Sequence, residues 1–321
     1  MNIELSKLRK GDWVQVRSAE EIAQTLDANG ALDGLPFMPE MIAYCGKKIR
    51  FNRTVYKTCL EAEFGDFQIR EMRDSDIALL EDLRCSGDAH DGCQRACTIF
   101  WKSAWLKPVG AQEQPEGDDS LLRAKLKVLT NPGRYFCQST ELHRLTLAEP
   151  MPRKRIFKRF AQDFRAGAVG VGAVPTLIIA PLFRKLSDKL FGRKRLKGSL
   201  TKTPVGTLKL QAGEKVEVKT LKEMQETLDT KGRNRGLTCD IELKKFCGKE
   251  FTVSHRLEKM ISEPTGEMRK VEGTVVLTGV GCMCARAMGG CARADFMYWR
   301  EIWLKRPGQA PHSNASAPTA T

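Results

Sequence analysis

Residues 11 to 59 superimpose on residues 213 to 261 without a gap, at a constant offset of 202. The matched identities include Gly11/Gly213, Val14/Val216, Val16/Val218, Glu21/Glu223, Thr25/Thr227, Gly34/Gly236, Glu40/Glu242 and Cys45/Cys247. The correspondence resumes near the C-terminus, where Trp299, Trp303, Leu304 and Lys305 repeat Trp101, Trp105, Leu106 and Lys107. Self-similarity over a globular length, rather than at a period of 20 to 50 residues, indicates a duplicated domain and not a solenoid. The chain must therefore adopt a fold that about 95 residues can form twice.

Each copy opens on an alternating apolar run, WVQV at 13 to 16 and KVEV at 215 to 218, which reads as a first strand. Ser18 with Glu21, and Thr220 with Glu223, fit the S/T-x-x-E capping box, so a short helix follows. Pro39 and Gly46 bracket a second, very short helix with Cys45 in its last turn. Strands are expected around Ile49 to Val55 and at TVVL, 274 to 277, with EPTGEM, 263 to 268, as a turn. The fold class expected is mainly β with short helices: a tandem duplication of a small SH3-like barrel, joined by a basic, partly helical connector. The boundaries read as 1–109 for the first repeat, 110–206 for the connector, 207–306 for the second repeat and 307–321 for a disordered tail. A helix is expected at 120 to 129, and the paired tryptophans are expected in the core.

The chemistry-bearing stretch is Cys85 to Lys107. Cys85, His90, Cys93 and Cys97 read C-x4-H-x2-C-x3-C, a density of thiolate and imidazole donors that suits tetrahedral zinc. On a helix His90, Cys93 and Cys97 would share one face at i, i+3 and i+7, with Cys85 closing the site from the preceding loop. Cys59 and Cys137 are possible additional ligands, and a four-thiolate set would also suit an iron–sulfur cluster. The second copy is degenerate. Cys282, Cys284, Cys291 and Asp295 are its weaker candidate set, with Asp295 opposite Cys97 and no histidine equivalent to His90.

The formal charge of +14 is unevenly spread. Residues 1 to 109 carry fifteen Lys and Arg against seventeen Asp and Glu, a net of −2, whereas 151 to 200 carry thirteen against two, a net of +11. The connector also holds 18 uncharged residues, 166 to 183, at the lower limit of a membrane span and interrupted by three Gly and two Pro. An anionic membrane surface met by 151–200 is the partner expected, with a protein partner beside it; nucleic acid is disfavoured because the first repeat is acidic. The opening MNIELSKLRKGDW lacks a basic and then apolar leader pattern, and eleven cysteines is an odd number. The expected location is cytoplasmic, with membrane association and with thiols reduced or metal-bound.

Hydrolase, zincin, P-loop and deaminase signatures are missing, so the reading leans to a non-enzymatic binding or scaffold module, with a zinc or iron–sulfur metalloprotein doing redox or catalytic work as one alternative and a nucleic-acid-binding protein as another. The segments LPFMPEMIAYCGKKIRF, LRCSGDAHDGCQRACTIFWKSAWL, RYFCQSTEL and YWREIWL resemble a bacterial family of duplicated, cysteine-containing SH3-like proteins. The resemblance brings no activity with it. It implies that Cys59, Cys85, His90, Cys93, Cys97 and Cys137 belong to one site.

Overall fold

In a computed structural model of the protein, the residues described are 3–63, 66–110, 118–149, 152–170, 172, 175, 179, 182–183, 186, 196–206, 208–239, 241–282 and 292–308. The architecture is mainly β with short helices; most sheets are small, and one curls into a half-barrel. Two compact units are present. The first comprises Met1–Arg193 together with Glu258–Val271 and Gly281–Phe296, and the second comprises Lys194–Leu257, Glu272–Val280 and Met297–Thr321. Two segments of the second repeat's sequence thus fold into the first unit.

The first unit is built on β1 (Trp13–Val16), β2 (Lys48–Thr54), β3 (Ile77–Arg84), β4 (Thr98–Lys102) and β5 (Leu106–Pro108). Their order in the sheet is β4-β3-β2-β1-β5, an antiparallel meander whose last strand returns to pair with the first. Val14 and Val16 of β1 are fully buried and Trp13 is exposed, while Gln15, on Trp13's side of the strand, is also buried and donates to the Gly46 carbonyl at 3.0 Å. Helix α1 (Ala19–Thr25) starts at Ser18, whose side chain accepts from the Glu21 N–H at 3.2 Å while the Glu21 carboxylate accepts from the Ser18 N–H at 2.9 Å. This reciprocal cap is the one read from the sequence. The apolar side of α1, Ala19, Ile22 and Ala23, is buried.

A 3-10 helix, Pro39–Tyr44, occupies the expected short-helix position, and Cys45 caps it. Trp101 lies on β4 and Trp105 in a 3-10 turn, Ser103–Trp105, between β4 and β5. Both indoles are fully buried, and Phe37 meets them edge-on at centroid distances of 6.2 and 5.1 Å. Such edge contacts add to the area that each ring removes from water. The Trp105 indole N–H donates to Thr25 at 3.1 Å, tying α1 to this core.

After the first sheet come α2 (Ser120–Lys125), shorter than the helix expected over 120 to 129, then α3 (Leu142–Leu145) and α4 (Arg153–Arg165). Lys125 donates to the Ala23 carbonyl at 2.7 Å, holding α2 beside α1. Helix α4 turns Phe160 and Asp163 inward. Asp163 is ion-paired with Arg53, and Arg155 is 2.7 Å from the Glu71 carboxylate. Among the described residues no helix is long and apolar enough to cross a membrane. Much of 166 to 183 lies outside the described residues, as does the tail from 309.

The second unit contains β6 (Lys215–Val218), α5 (Leu221–Gln225), β7 (Glu250–Arg256), β8 (Thr274–Gly281), β9 (Phe296–Arg300) and β10 (Leu304–Lys305). Its sheet order is β9-β8-β7-β6-β10. Lys215 pairs with Thr252 as Trp13 pairs with Arg50 in the first sheet. Thr220 and Glu223 form the second capping box, and the fully buried Trp303 donates to Thr227 at 3.0 Å.

Candidate metal centre

The loop carrying most of the expected ligands is closed at its neck. β3 ends at Arg84, the Cys85 N–H donates to the Cys97 carbonyl at 2.8 Å, and β4 begins at the next residue. Between the cysteines the chain makes a 3-10 turn at Asp88–His90. The Gly87 carbonyl accepts from the N–H groups of His90 (3.0 Å) and Gly92 (2.9 Å), and the His90 carbonyl accepts from Cys93 (3.1 Å). Asp91, Gly92 and Ala96 take positive φ values of 50°, 67° and 49°. The segment is therefore a chain of turns, which corrects the helix that the spacing of His90, Cys93 and Cys97 offered.

Gly87 fixes this arrangement. Its φ is +77°, and a Cβ at this position would lie 2.0 Å from the Cys93 carbonyl oxygen, a backbone atom that cannot move without displacing the turn. Gly87→Ala is expected to cost about 2 kcal/mol or more, combining left-handed strain with the clash. Thermal unfolding followed by circular dichroism checks this; an unchanged midpoint would show that the turn adapts.

These turns bring the expected ligands to one place. Cys85, His90, Cys93, Cys97 and Cys137 all line a single cavity of about 30 Å³. Cys59 sits behind it, its carbonyl accepting from Arg293 at 3.1 Å. The His90 ring is buried, with Nδ1 2.7 Å from Glu40 Oε1 and Nε2 3.2 Å from the Phe136 carbonyl. Acceptors at both ring nitrogens call for two ring protons, an imidazolium. Burial alone would lower the His90 pKa, but the hydrogen bond and charge of Glu40 outweigh it and raise the value. Burial likewise opposes ionisation of Glu40, and the His90 contact wins, holding that carboxylate below its ordinary range.

Glu40 also has an unused donor atom. Its side chain is 4% exposed, and Oε2 is buried without a hydrogen-bond partner. A buried carboxylate oxygen left unpaired is costly, and a cation is its natural partner. Donor atoms of Glu40, Cys85 and His90 lie within 4.8 Å of one another, a group among the described residues that could hold a metal ion.

Burial favours the protonated form of Cys85, Cys97 and Cys137. Burial is the largest cause for Cys85, and the charges of Glu40 and Cys97 push it further up. Burial raises Cys137 to about 12, with Cys97 adding to it. Cys97 is also raised by burial, against the opposing charges of Arg95 and Arg293. A bound cation reverses this logic, because coordination deprotonates a thiol outright.

Segments of the second repeat's sequence complete this part of the first unit. Hairpin strands Lys259–Ile261 and Met268–Lys270 lie in Glu258–Val271. The Ile261 N–H donates to Cys93 Sγ at 3.3 Å, and the Gln94 side chain accepts from the N–H groups of Glu258 and Lys259 at 2.6 and 3.1 Å. Glu263, in the hairpin turn, is buried. One carboxylate oxygen accepts from Arg95 (3.1 Å), Arg293 (2.9 Å) and Ser139 (3.1 Å), and the other accepts from the Glu61 N–H (2.9 Å). Burial works against its charge, but Arg293 and Arg95 lower its pKa.

The weaker set in the second copy fares differently. Asp295 is ion-paired with Arg293 at 3.0 Å, and its carbonyl accepts from the Cys282 N–H at 2.7 Å. Cys284 and Cys291 lie outside the described residues.

Sequence reasoning missed Glu40, Arg95, Glu263 and Arg293. The recurrence of Glu40 as Glu242 was a signal, but a cap or turn role accounts for it equally well. No protein-family model, curated protein or solved structure matches the chain.

Proposed function

We propose that the chain is a metal-stabilised binding module in which Glu40, Cys85 and His90 hold one zinc ion. The fourth position falls to Cys97 or Cys137, which line the same cavity as Cys85 and His90. The observation that carries this reading is the grouping of a Glu40 carboxylate oxygen, the Cys85 thiol and a His90 ring nitrogen within 4.8 Å of one another, on a carboxylate whose Oε2 is buried and unpaired. Carboxylate, thiolate and imidazole are the donors that zinc takes. In this reading zinc displaces one of the two ring protons of His90 and the thiol proton of Cys85, and Glu40 is its carboxylate ligand.

The ion is structural. A cavity of about 30 Å³ has room for an ion or for one or two waters, with no space for a substrate beside it. The binding work falls to the sheets. We read them as two copies of one SH3-like barrel, supported by their shared strand order, a five-stranded meander whose last strand returns to the first. The single 3-10 turn before β5 and before β10 supports the same reading.

One observation favours an iron–sulfur cluster instead: Cys85, Cys93, Cys97 and Cys137 share the cavity wall. The volume argues against it, since a cluster would have to push those walls apart. Metal content and the visible spectrum of protein purified without oxygen separate the two. About one zinc per chain and a colourless solution are expected. A brown solution with bound iron would replace zinc by a cluster, and metal-free protein that takes up no zinc on titration would end both readings.

A further inference from the structure

The outward face of α4 is apolar and basic at once. Phe157 and Phe164 are 44% and 42% exposed, and they stand seven residues apart with Ala161 between them, so all three lie along one side of the helix. Lys154, Lys158 and Arg165 are exposed around them. The one acidic residue of the helix, Asp163, points the other way and is ion-paired with Arg53. Two exposed phenylalanines on a helix that already has a buried side are not needed for folding. That buried side is Phe160 and Asp163, with Ile156 partly buried, on a stripe about a quarter-turn round the helix from the phenylalanines.

We propose that this face of α4 is a docking surface for an anionic lipid bilayer. Phe157 and Phe164 insert at the level of the headgroups, and Lys154, Lys158 and Arg165 bind the lipid phosphates and carboxylates. The pattern is that of an interfacial helix, with aromatic residues on one side flanked by Lys and Arg. Charge complementarity selects the occupant: residues 151 to 200 carry a net +11 in sequence, and α4 alone holds six Lys and Arg against Asp163, which is already ion-paired with Arg53. Ion pairs of Asp163 with Arg53 and of Arg155 with Glu71 tie α4 to the first unit and leave the phenylalanine face outward. The proposal is independent of the metal.

Vesicle co-sedimentation of the full-length protein tests it. Vesicles of phosphatidylcholine with about a third phosphatidylserine are compared with phosphatidylcholine alone, at low and high salt. Binding is expected only with the anionic lipid and is expected to fall at least tenfold when ionic strength is raised to about 0.5 M, where screening is within a few ångströms. A Phe157→Ser, Phe164→Ser double variant and a Lys154→Glu, Lys158→Glu double variant should each weaken binding at least tenfold, with unchanged circular dichroism. A phenylalanine variant that binds as well as the parent, equal binding to neutral vesicles, or a single-stranded oligonucleotide that binds and displaces the protein from vesicles would each overturn it. The last outcome would assign the basic face to nucleic acid.

Discussion

Glu263→Ala should destabilise the first unit by about 3–5 kcal/mol, the range seen when one partner of a buried ion network is removed. Arg95 and Arg293 are almost wholly buried and share the Glu263 carboxylate at 3.1 and 2.9 Å. Without it, two guanidinium groups remain close together out of water, with Glu61 and Asp295 as their remaining acidic partners. With urea slopes of roughly 2–3 kcal/mol per M for a unit of this size, the midpoint of the transition should fall by about 1–2 M. The pH dependence has a fixed sign. Because the Glu263 pKa is lowered, its contribution is complete above its ordinary value of 4.5 and is lost as pH falls through the lower folded value. The variant should therefore lose the acid-limb sensitivity of the parent. A midpoint shift of less than about 0.3 M would mean that the network contributes little.

The second large effect concerns the metal. Cys85→Ser and His90→Gln should each weaken zinc binding by more than about 100-fold, since loss even of groups that only orient a ligand costs 10- to 100-fold. Competition against a coloured chelator reads this directly. The pH dependence also distinguishes loaded from metal-free protein. Without metal, the raised His90 pKa means that its stabilisation is complete below 6.5 and is lost as pH rises through the folded value. The lowered Glu40 pKa means that its stabilisation is complete above 4.5 and is lost on acidification. The pair thus helps the metal-free protein most between 4.5 and 6.5. Zinc must displace protons from His90 and Cys85, so its affinity should rise with pH through that same range and beyond. Zinc affinity independent of pH would contradict the ligand assignment.

Local features were legible in the sequence because their signals are local. Ser18 with Glu21 and Thr220 with Glu223 announce helix starts within four residues, and both form the expected caps. Val14 and Val16 fill the inward positions of their strand, and the paired tryptophans lie in the cores. The metal site was only partly visible. Cys85, His90, Cys93 and Cys97 announced themselves by density, but the helix assumed for them fails at Asp91, Gly92 and Ala96, whose positive φ values no periodicity reveals. Glu40 is fifty residues from His90, and only the tertiary fold sets them 2.7 Å apart. Glu263 and Arg293 are more distant still, 168 and 198 residues from Arg95, and lie in the other repeat. The self-similarity of residues 11–59 and 213–261 encourages the view that each stretch keeps its own neighbours in sequence, whereas Glu258–Val271 and Gly281–Phe296 fold with the first unit.

The central claim is that Glu40, Cys85 and His90 are ligands of one zinc ion. Zinc K-edge X-ray absorption on full-length protein loaded with an equimolar amount of zinc tests it most directly. The expected spectrum has sulfur at about 2.3 Å and nitrogen or oxygen at about 2.0–2.1 Å in a four-coordinate shell, with imidazole scattering that disappears in His90→Gln and sulfur scattering that falls in Cys85→Ser. A shell made only of sulfur, or one unchanged by either substitution, would contradict it.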